Sequence, residues 1–208
     1  MALKSSRTQE RILAVAESLV LKQGFNATGI DDILARASIT KSGFFYHFNG
    51  KDELAKSLVK RYLKQDDEFF QDLLSRADSL SEDPLQRLLI FLKLLAQAME
   101  NLEQVHPGCL VVTFTYENYQ LNEEVDQLVK QGILTWRKMI EDRLHLIADT
   151  RPPLGESPIE ALADYFTVSI EGGILLSRIF QDNRYLAQQI SLYREHLRMV
   201  FGDLRREP

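Results

Sequence analysis

The sequence contains a single cysteine, Cys109. An intrachain disulfide is therefore excluded, which fits a chain that works in a reducing cytoplasm and is held by its apolar core. No apolar run approaches the ~20 residues that span a bilayer, and the opening MALKSSRTQE lacks the apolar stretch of a signal peptide. No membrane partner is expected. GxSxG, HExxH, GxGxxG and P-loop patterns are also absent, and the four histidines (His47, His106, His145 and His196) are scattered. His106 and Cys109 have the spacing of half a metal site, but no neighbour in the sequence completes it. The expectation is no catalytic residue, no metal and no cofactor. Strands are scarce too. Only Cys109 to Asn118 (CLVVTFTYEN) is rich in β-branched and aromatic residues. With no second strand to pair with, it reads as a short buried helix.

What the chain does have is apolar periodicity at helical spacing. Its 208 residues are 45% hydrophobic, enough to pack one large domain or two small ones. Charge is unevenly spread. Through Tyr62 there are ten Lys and Arg against six Asp and Glu, a net of +4, whereas the remainder holds fifteen and twenty-four, a net of −9. A basic head on an acidic body would show this asymmetry. Ser6 and Gln9 read as a capping box that opens a first helix, with Ile12, Leu13, Ala16, Leu19 and Val20 on one face and Gly24 as its left-handed stop. A long helix starts at Lys51, capped by Asn49 or Gly50, and runs to about Ser79. Asp83-Pro84 opens the next, which His106-Pro107-Gly108 ends or interrupts. Asn122 caps a long helix carrying Val125 to Ile147. After the Pro/Gly-rich loop DTRPPLGE, Ser157-Pro158-Ile159-Glu160 is a capping box with Pro at N1, opening a helix to about Phe180. A last helix follows Asp182-Asn183 and stops at Gly202.

Two shorter helices complete the count at nine, with no sheet. They lie in Thr28 to Lys51, TGIDDILARASITKSGFFYHFNGK. Thr28 is the expected N-cap of the first, with Asp31 at N3, and Ile30, Ile33, Leu34 and Ala37 form its apolar face. Thr40 caps the second, which carries Phe44 and Phe48 toward the core. Lys41, Ser42, Phe45, Tyr46 and His47 are left on or near the outer side. Helices this short need a third to pack on, and the first helix supplies it. A helix of this kind fits the major groove of B-DNA.

At these residues the sequence resembles the TetR family of transcriptional regulators. That family's third helix typically ends in a Tyr-His-Phe-like triplet, followed by a Lys at the start of a fourth helix. Here those residues are Tyr46, His47, Phe48 and Lys51. The close match covers about residues 8 to 56, and the remainder matches in helix number and order. Two departures stand out: Ser38 occupies the turn position where the family often has Gly, and Gly43 lowers helix propensity by roughly 1 kcal/mol relative to Ala.

The resemblance implies an all-α fold, with a helix-turn-helix DNA-binding domain at residues 1–50 and a ligand-binding and dimerisation domain at residues 51–208. The long fourth helix would link them mechanically. Tyr46 and His47 would hydrogen-bond the phosphate backbone, Lys51 would add a charge at a neighbouring phosphate, and Thr28 and Lys41 would make backbone or base contacts. Ser42, Phe45 and Thr40 complete the expected DNA-facing set. Gly43 either permits close approach to a thymine methyl or phosphate or is simply a low-propensity residue. The family keeps a ligand cavity in its body, so Phe91, Leu95, Met99, Cys109, Phe114, Trp136, Phe166 and Ile170 are candidate pocket residues. The last two helices would form a four-helix dimer bundle through Leu162, Phe166, Gly173, Ser177, Ile190, Tyr193 and Leu197.

The implied function is a cytoplasmic, homodimeric repressor that binds a palindromic double-stranded operator and is released by a small apolar or amphipathic effector. Two other readings remain open. The Gly-Cys-Leu segment at Cys109 is similar to that of an electrophile-responsive subgroup, which suggests a thiol-based redox sensor. In that case the thiol should lie in the first turn of a helix, with a protonated His106 favouring the thiolate. The position matching the subgroup's assisting lysine is Arg178, which cannot readily supply a neutral amine. The other reading is an all-helical enzyme or adaptor that keeps the head's shape without binding DNA.

Overall fold

In the computed structural model, residues 2–117 and 123–202 are described, with side chains from Ser6 onward. Among the described residues there are nine helices and no strand. They are α1 (Ala2–Gln23), α2 (Ile30–Ala37), α3 (Lys41–His47), α4 (Lys51–Asp78), α5 (Pro84–Glu100), α6 (Leu110–Tyr116), α7 (Glu123–Ala148), α8 (Ile159–Phe180) and α9 (Arg184–Val200). The fold class is all-α, as expected, and the β-branched segment after Cys109 is indeed helical. None of the described helices is long and apolar enough to cross a membrane.

Local chemistry accounts for most helix ends. Asp83 Oδ1 accepts from the Leu85 amide at 2.9 Å, ahead of Pro84 at the first helical position. Gly24 closes α1 at φ 86°, its amide bonded to the Val20 carbonyl at 2.8 Å. Three expected caps are corrected. Ser6 lies inside α1, because Ala2, Leu3 and Lys4 extend the helix ahead of it. α2 starts from Gly29 rather than Thr28, and its N3 carboxylate is Asp32, which accepts from the Gly29 amide at 3.1 Å. Pro158, at ψ 133°, stands just outside α8, so Ser157 is one residue too early to cap it. Asn122, expected to cap α7, lies outside the described residues.

The turn between α2 and α3 is made by Ser38 in the left-handed region, at φ 51° and ψ 52°. A serine there carries a steric cost that glycine would avoid.

The chain divides into two compact units, Met1–Asp66 with Pro107–Gly132, and Asp67–His106 with Ile133–Pro208. In the first, α1 buries Ile12, Ala16, Leu19 and Val20 against Ile33, Phe44, Phe48, Leu54 and Leu58, and Leu110 and Phe114 of α6 join the same core. Arg61 of α4 bonds Glu10 of α1 at 2.6 Å and also pairs with Glu17. Burial pushes the Glu17 carboxyl up, against the pull of that guanidinium.

In the second unit, Phe70, Phe91 and Phe166 stand 6.2–6.3 Å apart as a ring cluster, and Tyr193 packs on Phe166 at 5.8 Å. The Tyr193 hydroxyl donates to the Leu162 carbonyl at 2.9 Å, and its burial raises the phenol's pKa. Arg194 Nε donates to the Leu89 carbonyl at 3.0 Å, tying α9 to α5. α8 and α9 cross closely at Gly173. A Cβ there would stand 2.8 Å from Leu186 Cδ1 and 2.9 Å from its Cα. Four residues on, Ser177 Oγ accepts from the Leu186 amide at 3.0 Å.

Two stability changes of opposite sign are expected in denaturant titrations. Ser38→Gly relieves left-handed strain and should stabilise by about 0.5–1 kcal/mol once glycine's greater unfolded-state freedom is subtracted. Gly173→Ala should destabilise by about 1–3 kcal/mol, because its Cβ meets backbone that cannot step aside. A neutral Gly173→Ala would mean that α8 and α9 are not packed this closely.

Candidate nucleic-acid interface

α3 has one buried and one exposed side, set by its cap and its aromatics. Thr40 Oγ1 accepts from the Gly43 amide at 3.1 Å, which starts the helix, and lies 3.1 Å from Ser42 Oγ. Phe44 and Phe48 then turn inward, 0% and 1% exposed, with ring centroids 5.5 Å apart. Lys41, Ser42, Phe45 and Tyr46 are exposed as a consequence, and His47 is half-buried. Tyr46 is 77% exposed, and its ring meets that of His47 edge-on at 5.0 Å. A single face therefore carries a cation, a hydroxyl, two aromatic rings and an imidazole. That set can donate to phosphates and make apolar contact with base edges.

Two expected members of this set are engaged elsewhere. Thr28 is 1% exposed, and its hydroxyl donates to the Gly24 carbonyl at 2.7 Å, so it knits the α1–α2 turn. The Lys51 ammonium donates to the Phe25 carbonyl at 2.9 Å and sits 4.6 Å from that ring's centroid. Burial lowers its pKa, with Glu117 pulling the other way. Beside it, α4 lines an open polar hollow of about 780 Å³ with Lys51, Lys56 and Lys60, and Glu124 of α7 closes on Lys56.

The candidate pocket residues are not one group. Phe91, Leu95, Met99, Trp136, Phe166 and Ile170 belong to the second unit. Phe114 belongs to the first, with its ring 5.0 Å from that of Phe25, and Cys109 belongs to the first as well. Cys109 occupies the N-cap of α6 rather than its first turn, and the residue is 5% exposed. Burial and the Arg178 charge both lower the His106 pKa, against the protonated form expected beside a thiolate.

The residues expected at a dimer interface face inward. Leu162, Phe166, Ile190, Tyr193 and Leu197 are buried within one protomer, as are Gly173 and Ser177 where α8 meets α9. The outward apolar stripe is a different one: Tyr165, Val168, Leu175 and Ile179 on α8, with Leu192 and Met199 on α9. Gly172 lies along it with open space around its Cα. The three-and-four spacing of the α8 residues was a signal for this face, masked by the stronger inward stripe of the same helix. Two other residues gave no sequence signal. Asn183 is buried and ties the α5–α6 connection to the start of α9, accepting from the His106 amide at 2.9 Å and donating to the carbonyls of Leu102 and Gln104. Glu117 reaches back to the α1–α2 turn across about ninety residues of sequence.

Comparison with known proteins identifies the family. Residues 12–58 match the profile of bacterial regulatory proteins of the tetR family, and residues 84–193 match that of the tetracyclin repressor-like C-terminal domain. The chain is 28% identical over 188 residues to the uncharacterized HTH-type transcriptional regulator YxaF of Bacillus subtilis, covering 88% of this chain and 93% of YxaF. It is 23% identical over 193 residues to the HTH-type transcriptional repressor DhaR of Mycobacterium sp., covering 91% of each. Among solved structures, a TetR-family regulator from Agrobacterium tumefaciens has the same fold. It superposes with a TM-score of 0.76 at 21% identity, over 92% of this chain and 98% of that one. With both the helix-turn-helix segment and the larger C-terminal segment matched, this chain belongs to the tetR family of bacterial transcriptional regulators.

Proposed function

We propose that the protein is a cytoplasmic repressor that binds a palindromic operator as a homodimer and leaves it when a small apolar effector binds. The observation that carries this reading is the exposed face of α3. Large aromatics at a polar surface need a partner, and Phe45 and Tyr46 stand open next to Lys41 and Ser42. In the major groove, the first turn of α3 would meet base edges, while Tyr46 and His47 would reach phosphates. The sign of regulation follows the relative DhaR, whose name is that of a repressor.

The second copy would dock on the exposed stripe of α8 and α9 across a two-fold axis, which suits a palindrome with half-sites about one helical turn, ~34 Å, apart. The effector would be taken up in the second unit, where Phe91, Trp136 and Phe166 are buried aromatics. Because Phe70, Phe91 and Phe166 touch, the guest must part them. It acts only by preferring a form that fits the operator poorly, since equal affinity for both forms shifts nothing.

The operator can be selected from genomic fragments with the purified protein, and variants can then be titrated against it. Lys41→Ala should reduce the slope of log affinity against log salt by about one phosphate contact. Tyr46→Ala should weaken binding by roughly tenfold, the loss of one charge-assisted hydrogen bond. Wild-type binding by both variants would remove α3 from the interface. For assembly, Leu175→Glu should give monomers in sedimentation at micromolar concentration with helical content unchanged. A monomeric wild type would refute the dimer.

A further inference from the structure

Glu117 follows the last turn of α6, and its carboxylate grips the turn between α1 and α2. Oε1 accepts from the Phe25 amide and Oε2 from the Asn26 amide, both at 2.6 Å. Two consecutive backbone donors on one carboxylate form a bidentate, charge-assisted contact that fixes orientation as well as distance. The surrounding groups reinforce it. The Phe25 ring packs on Phe114 of α6, with centroids 5.0 Å apart. The Phe25 carbonyl accepts from the Thr28 amide at 3.1 Å and from Lys51 Nζ at 2.9 Å. At Gly24 a Cβ would run into Glu117 Oε1, so the glycine also makes room for the carboxylate.

We propose that Glu117 is a positioning residue for DNA binding: its carboxylate clamps the α1–α2 turn and thereby sets where α2, α3 and the start of α4 stand. The proposal rests on the DNA-binding reading above. Three residues separate the clamped Asn26 amide from Ile30, the first residue of α2. They hold little slack, because the Thr28 hydroxyl is bonded to the Gly24 carbonyl and the Gly29 amide to Asp32. On the other side, the clamped Phe25 holds the ammonium of Lys51, the first residue of α4. A shift of the turn is thus passed to both helices that frame α3. Helices of eight and seven residues have little stiffness of their own with which to resist it.

The competing account is that Glu117 is only a negative charge near a DNA-binding surface. The two accounts predict opposite signs. Removing a mere charge would tighten binding to any duplex, because phosphate repulsion falls. Removing a clamp loosens the turn and weakens the specific complex.

The experiment uses full-length Glu117→Ala and Glu117→Gln. Amide hydrogen exchange at Phe25 and Asn26 is followed by NMR without DNA, and affinity is then measured for the selected operator and for an unrelated duplex. In Glu117→Ala, exchange at these two amides should accelerate by about tenfold or more, as expected for losing a bond to a charged acceptor. Operator affinity should fall by about tenfold, while binding to the unrelated duplex should not weaken. Glu117→Gln keeps one acceptor oxygen and should be intermediate on both readouts, and it carries the test if the alanine variant does not fold. Unchanged exchange at Phe25 and Asn26 overturns the clamp. Operator binding as tight as wild type or tighter overturns the positioning role. A wild type that binds no duplex overturns the DNA-binding reading itself, whereas faster exchange in the variants would still establish the clamp.

Discussion

Two helices of eight and seven residues cannot hold their own shape in water, and the first compact unit is built around that constraint. What α2 and α3 lack in hydrogen-bond cooperativity is made up by burial. Ile33 and Ala37 from α2, and Phe44 and Phe48 from α3, are almost completely removed from solvent against α1 and α4. Phe44 alone, if fully buried, contributes roughly 1.5–3 kcal/mol. That burial also fixes the rotation of α3 about its axis. With Phe44 and Phe48 inward, Phe45 and Tyr46 have no alternative but to face outward. The exposed face of α3 is thus a by-product of core packing.

How much of this was legible depended on how local the cause was. Thr40, Asp83-Pro84 and Gly24 act within four residues, and the sequence placed them correctly as a helix start, a second helix start and a helix stop. The exposed residues of α3 also follow from a local rule, since one turn of helix separates Phe44 from Phe48. Thr28 was misjudged because two adjacent residues compete to cap α2. Gly29 took the extended cap conformation, which freed the Thr28 hydroxyl to bond backward to Gly24. Glu117 and Asn183 were invisible because each serves backbone groups about ninety and eighty residues away. Spacing carries no information about partners at that range.

The resemblance at Cys109 illustrates a different limit. A short motif can be shared while its chemistry is not, because reactivity depends on exposure and charge rather than on the residue alone. Here the cysteine is buried at the N-cap of a seven-residue helix, its carbonyl bonded to the Thr113 amide and hydroxyl. Burial and Arg178 both lower the His106 pKa. Burial of this kind is common for a lone cysteine that serves as a small apolar group.

α8 shows why periodicity finds an apolar face without telling which side of the helix a single chain buries. The helix has two apolar faces. Leu162, Phe166, Gly173 and Ser177 turn toward α9 and the aromatic cluster, whereas Val168, Leu175 and Ile179 turn outward. A helix apolar on both sides satisfies any three-and-four pattern placed on it, so the pattern cannot say which side the protomer consumes. The paired glycines resolve the ambiguity physically. Gly173 is needed where the backbone of α9 passes, while Gly172 beside it has open space. One residue serves the close crossing with α9, and its neighbour lies along the exposed apolar stripe. The two roles separate only once the radial position of each Cα about the helix axis is known. Mutations on α8 therefore sort by face rather than by residue type. Inward changes act on folding, and outward changes act on whatever the stripe meets.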